Sequence, residues 1–140
     1  MNHRLFLSAI VIVAIVASVT AFAQQQPHRL YNEIMKDVAA TFPSLKKNLD
    51  ANNGAAAAED AAKLQKFFTE TEAFWTPLNT QDAVRLSKKA QEVAGAISTA
   101  AKANDMKTAN ASYATLQRTC GGCHSAHREE ITGGGYTIKP

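Results

Sequence analysis

Residues 55–75, AAAAEDAAKLQKFFTETEAFW, decide the fold, because their apolar side chains return every three or four residues. That spacing predicts an α-helix with one apolar face and argues against a strand. The stripe extends to Leu78, and Thr76-Pro77 is expected to end the helix. Its members are Ala57, Ala61, Leu64, Phe68, Thr71, Trp75 and Leu78.

Three further segments show the same period, from about 28 to 50, from about 79 to 104, and from about 104 onward. Short polar connections separate them, so consecutive helices should run antiparallel. We therefore predict an all-α protein, an antiparallel four-helix bundle with up-down-up-down topology. The three apolar stripes are Tyr31, Met35, Val38, Phe42, Leu45 and Leu49; Ala83, Leu86, Ala90, Val93 and Ile97; and Met106, Ala109, Tyr113, Leu116, Cys120, Cys123 and His127.

Two positions are expected to interrupt the helices. Pro43 lies inside the first helix and should kink or split it, because proline cannot donate to residue 39. The three glycines at 133–135 should end the last helix and leave a short C-terminal tail. No alternation typical of a strand is present, so we predict no sheet.

Residues 1–23 have the pattern of a secretory signal peptide, with Arg4 before an apolar core at 5–19 and an A-x-A site at 21–23. The alternative is an uncleaved membrane anchor, but the small-residue site and the polar residues after it favour cleavage. We therefore expect export to a periplasm, no stable membrane anchor, and a single bundle domain at 24–140.

Composition sets limits on function. The chain has 140 residues and a formal net charge of +3, a balance that does not indicate a nucleic-acid-binding protein. Its size suits one compact core. Only two cysteines occur, and both belong to one short motif, so no disulfide framework is expected.

That motif is Cys120-Gly121-Gly122-Cys123-His124, a C-x-x-C-H sequence. It predicts covalent attachment of one haem, because each thiol can add to a vinyl group and the histidine can ligate iron.

On a helix, residues three and four apart share one face, so the two cysteines and the histidine should point the same way. A thiol–disulfide centre would require a βαβ setting, and a structural zinc site would require further ligands. The sequence shows neither.

The position of this motif on the last helix of an exported bundle resembles the class II c-type cytochromes, the cytochrome c-prime and cytochrome c-556 group. The residues 120–128, CGGCHSAHR, are similar to the family pattern C-x-x-C-H-x-x-Tyr-Arg, with His127 in place of tyrosine. The residues 33–37, EIMKD, are similar to the Leu-Met-Lys segment of the c-556 members. Tyr31 stands where the family often has an arginine, so Arg29 or His28 is the alternative partner for a propionate.

The resemblance implies thioether bonds at Cys120 and Cys123, with His124 as the proximal iron ligand. Met35 would be the distal ligand, and Arg128 would lie near the proximal haem face. His127 is expected beside the haem edge or at the surface. For Met35 the alternative is ordinary core packing. Met106 is excluded as a ligand, because it begins the helix that carries the motif, roughly 27 Å away along its axis.

Two functions follow from this resemblance. The first is a low-spin electron-transfer protein with His124 and Met35 on the iron, serving redox partner proteins. The alternative is a five-coordinate protein that binds nitric oxide or carbon monoxide. No enzymatic turnover is required by the sequence, and none is expected. Homodimers that form through the first two helices are common in the family, so a homodimer is an alternative to a monomer.

Overall fold

The computed structural model describes residues 29–139, in which four helices follow one another. Each helix packs chiefly against the next one in the sequence, so the predicted four-helix arrangement is confirmed, and its contacts are those of an up-down bundle. The signal-peptide prediction concerns residues outside the described part of the chain. The helices are α1 (Tyr31–Asp50), α2 (Gly54–Trp75), α3 (Gln81–Lys102) and α4 (Met106–His127), with a 3-10 turn at Thr76–Leu78.

Asparagine and aspartate residues set the turns between the helices. Asn52, Asn79 and Asn104 have φ of 53°, 56° and 57°, the left-handed conformation that asparagine tolerates better than most residues. The Asn53 side chain accepts a hydrogen bond from the Ala56 N–H at the start of α2. Asp105 caps α4 in the same way, since its side chain accepts a hydrogen bond from the Thr108 N–H.

The apolar core fills one half of the bundle, near the α1–α2 and α3–α4 loops. It is built from the C-terminal halves of α1 and α3 and from residues toward the N-termini of α2 and α4. Its largest fully buried members are Leu45, Leu49, Leu64, Ile97 and Leu116.

Pro43 does not split α1, which is a continuous helix from Tyr31 to Asp50. Of the two expected outcomes, a kink or a split, the split is therefore wrong. Because proline has no N–H, the Ala39 carbonyl lacks its helical partner. Both residues are exposed, so water can satisfy that carbonyl.

The C-terminal prediction also needs correction. The helix α4 ends at His127, and a hairpin of β1 (Arg128–Glu130) and β2 (Tyr136–Ile138) follows it. The strands are antiparallel, with Arg128 opposite Ile138. Glycines 133–135 do not end the helix but form the tip of the hairpin. Their φ angles lie between +97° and +99°, a backbone conformation that is strained for any residue with a Cβ atom.

Between residues 29 and 139, no helix has the length and apolar character needed to cross a bilayer.

Candidate functional site

The half of the bundle opposite the core holds a cavity. The helices α1 and α4 contact each other much less than consecutive helices do. They meet where the Phe42 and Tyr113 rings lie 4.7 Å apart between centroids. Toward the N-terminus of α1, the gap opens into a cavity of about 920 Å³.

This cavity is mostly apolar and large enough for a cofactor, since such sites commonly occupy roughly 300–1,000 Å³. All four helices and the hairpin contribute to its lining. The principal apolar side chains are Met35, Val38, Phe42, Phe68, Phe74 and Leu86.

The two cysteines line the cavity from the last turns of α4, and both are free, partly buried thiols. Burial raises the pKa of Cys120 to about 11. Burial, followed by the Asp82 charge, also raises the pKa of Cys123. Thiol–disulfide centres show the opposite behaviour, because they depress a cysteine pKa to generate the thiolate. The site therefore does not have the electrostatics of a redox-active dithiol.

His124 lines the same cavity from α4. Partial desolvation lowers the pKa of His124, and the positive charge of Arg128 lowers it further. Both effects favour the neutral imidazole, which is the form that ligates metal ions.

Met35 lines the cavity from α1 and is only partly buried. The core position on this turn belongs instead to Ile34, which is 1% exposed and was absent from the predicted stripe. Met35 is therefore a cavity residue and not a member of the apolar core. Met106 lies in the other half of the bundle, where its methyl group approaches Gly54.

Among the described residues, the formally charged side chains that line the cavity are both cationic. Lys36 and Arg128 belong to its lining, and no aspartate or glutamate among the described residues does. Arg29, the alternative propionate partner, is already engaged by Asp37 at 2.6 Å and Glu70 at 3.1 Å. His28 lies outside the described residues. Among the described residues, Lys36 and Arg128 are therefore the lining cations that an anionic group in the cavity could contact.

His127 was expected near the haem edge or at the surface, and the structure buries it at 7% exposure in the cavity wall. Its Nε2 lies 2.9 Å from Asp82 Oδ2, and its Nδ1 lies 2.9 Å from the Lys139 carbonyl oxygen. The ring centroid is 5.0 Å from that of Trp75, whose buried Nε1 has no hydrogen-bond partner within residues 29–139. Sequence reasoning missed both partners of His127.

Across residues 29–139, no group of three or more His, Cys, Asp or Glu side chains is placed to hold a metal ion. The zinc alternative therefore finds no ligand set in that part of the chain, because a structural zinc site takes four ligands. The imidazole of His124 and the thioether of Met35 could ligate the iron of a haem, whose porphyrin supplies the other donors, and the two thiols could bond to its vinyl groups.

Comparison with known proteins adds no assignment: no family model matches the chain, and neither a curated protein nor a solved structure does.

Proposed function

We propose that the protein is a periplasmic mono-haem c-type cytochrome that transfers electrons to and from redox partner proteins. Haem c would be attached through Cys120 and Cys123, with iron held by His124 and Met35. The observation that carries this proposal is the single cavity between α1 and α4 that all four of these side chains line. The resemblance of residues 120–128 to the class II cytochromes supports the same function.

The residues around the cavity fit a haem in three respects. The volume of about 920 Å³ and the apolar walls suit a porphyrin. The free thiols stand one helical turn apart on α4, as two attachment points on one ring require. The lining cations Lys36 and Arg128 suit a group that carries two carboxylates.

Each side chain has a defined role in this proposal. The cysteines hold the group by thioether bonds, and the neutral His124 ring and the Met35 thioether are donors of the kind that hold haem iron in cytochromes c. Phe42, Phe68 and similar side chains exclude water from the cavity. When bound, haem supplies one-electron chemistry at its iron. With His124 and Met35 both holding it, the iron would favour electron transfer over binding of external ligands.

The test is production of the full chain in a bacterium that matures c-type cytochromes. The wild type should carry haem that survives denaturing electrophoresis and should show a low-spin spectrum. The double variant Cys120→Ala, Cys123→Ala should carry none, whereas Ser125→Ala, on an exposed hydroxyl of the same helical turn, should match the wild type. A wild type without covalent haem, beside a control cytochrome that matures normally, overturns the proposal.

A second function is favoured by the exposure of Met35. Because this side chain is only partly buried and the cavity is roomy, iron bound to His124 alone would leave space for nitric oxide or carbon monoxide. A high-spin spectrum that shifts readily when carbon monoxide is added supports this gas-binding function. A methionine-to-iron charge-transfer band in the far red supports the electron carrier.

The resemblance also extends to homodimerisation through α1 and α2. Sedimentation of the haem-loaded protein distinguishes a dimer from a monomer.

A further inference from the structure

His127 joins the C-terminal hairpin to the bundle by its main chain and by its side chain. The main-chain N–H of Lys139 donates to the His127 carbonyl at 3.0 Å, which extends the hairpin ladder by one step. The His127 side chain turns back to the same residue, with Nδ1 2.9 Å from the Lys139 carbonyl oxygen. The second ring nitrogen faces Asp82 on α3. One imidazole thus connects the end of α4, the hairpin and the start of α3.

Both partners of this ring are acceptors. A backbone carbonyl accepts only, and so does an ionised carboxylate, so both contacts are satisfied when each ring nitrogen carries a proton. Among the aromatic side chains, only histidine has two ring nitrogens that can each make a hydrogen bond, and both are donors when the ring is protonated. The tyrosine of the family pattern has a single hydroxyl and could not make both contacts. The bridge is therefore a feature of this chain.

The hairpin that His127 anchors forms part of the cavity wall. Tyr136, Thr137 and Ile138 of β2 line the cavity, and the Arg128 guanidinium lies 3.2 Å from the centre of the Tyr136 ring. These strand residues are exposed on their other side and make little contact with the helices. The position of this wall therefore depends on its anchor.

We infer that His127 is a positioning residue that holds the C-terminal hairpin as one wall of the cavity and so restricts the entry of water and small ligands. The restriction of ligand entry rests on the proposed function, because it concerns access to haem iron. The anchoring of the hairpin does not depend on haem.

The experiment compares wild type with His127→Phe in the haem-loaded full chain. Phenylalanine keeps a ring against Trp75 and removes both polar contacts, and the half-exposed Asp82 remains solvated. Amide hydrogen exchange in 128–139 should become about tenfold faster, as expected for the loss of two hydrogen bonds. The association rate of carbon monoxide, measured with Met35→Ala added to every chain so that Met35 cannot compete for the iron, should rise by a similar factor, while the helical circular dichroism stays unchanged.

Glu129→Gln is the matched control, since it changes an exposed side chain in the same hairpin and should leave both rates at the wild-type value. Asp82→Asn should give a smaller increase in both rates, because it keeps a polar partner for the ring and removes the charge. Unchanged exchange in His127→Phe overturns the inference. Faster exchange with an unchanged ligand association rate also overturns the inference, because it would mean that His127 anchors the hairpin without restricting ligand entry.

A wild type that lacks haem overturns the proposed function, and the exchange measurement on the same samples still decides whether His127 anchors the hairpin.

Discussion

Asp82 Oδ2 lies 2.9 Å from His127 Nε2, so a half-exposed carboxylate at the start of α3 meets a buried imidazole at the end of α4. This contact is the principal cause of a lowered pKa at Asp82 relative to its ordinary value of 3.8. A carboxyl whose pKa is lower in the folded state contributes stability above its unfolded pKa. That contribution is lost as the pH falls through the folded value.

We therefore predict that Asp82→Asn is less stable than wild type at pH 6, and that the difference shrinks progressively as the pH falls from about 3.8 through the lower folded pKa of Asp82. Thermal unfolding of both proteins between pH 3 and pH 6 measures this. Glu92→Gln on the same helix is the control, because Glu92 pairs with the exposed Lys89 at 3.0 Å. A stability difference for Asp82→Asn that persists unchanged at pH 3 contradicts the prediction.

Two glycines should respond in opposite ways to alanine. A Cβ at Gly54 would lie 2.6 Å from the Ala101 carbonyl oxygen and 2.6 Å from Asn104 Oδ1, and the backbone oxygen cannot move aside easily. Gly54→Ala should therefore cost about 1–3 kcal/mol. A Cβ at Gly121 meets nothing within 4 Å, and the residue lies inside α4.

Gly121→Ala should thus stabilise the chain by up to about 1 kcal/mol through helix propensity. Urea unfolding of the two variants beside wild type gives both values. If Gly54→Ala is as stable as Gly121→Ala, the α1–α2 loop does not pack closely against the α3–α4 loop at Gly54.

A buried carboxylate links α1 and α2. Asp60, 6% exposed, accepts hydrogen bonds from Ser44 Oγ at 2.7 Å and Asn48 Nδ2 at 2.8 Å, and it also pairs with Lys63. Asp60→Ala should destabilise the fold by about 1–3 kcal/mol, because it leaves these donors without their acceptor.

Glu59→Ala, at the adjacent exposed position, should change stability by less than about 0.5 kcal/mol. Chemical denaturation of the two variants measures the contrast. Equal stabilities would mean that the Asp60 hydrogen bonds contribute nothing.

The helices could be predicted well from the sequence because the residues that specify a helix and its ends are close together in the chain. A period near 3.6, asparagine turns and the Asp105 cap all act over a few residues. The grouping of Cys120, Cys123 and His124 was predicted for the same reason, since their spacing alone places them on one helical face.

The remaining features depend on contacts between distant residues. Asp82 and His127 are 45 residues apart, and nothing near either of them indicates the pairing. The hairpin strands are three residues long, too short to show alternation, and they are held partly by a side chain from α4. Ile34 was missed because the heptad-like stripe assumed a core along the whole of α1, whereas a cavity replaces the core at that end.

Met35 is the residue on which the choice between the two proposed functions depends. It lines the cavity from α1, on a different helix from His124, and it does not belong to the buried core. Under the electron-carrier proposal, Met35→Ala should abolish the far-red charge-transfer band and convert the haem to a form that binds carbon monoxide stoichiometrically. Because Met35 is not a core residue, the variant should lose much less stability than the 2–5 kcal/mol typical of a buried methionine.

Met106→Ala is the matched control for this change. Met106 packs against the core near Gly54, so its truncation should reduce stability and leave the absorption spectrum and carbon monoxide binding as in wild type. Absorption spectra of the ferric and ferrous proteins, with and without carbon monoxide, are compared for the three chains. If Met35→Ala and Met106→Ala have the same spectrum as wild type, Met35 is not an iron ligand, and the five-coordinate gas-binding function is then the one that the cavity supports.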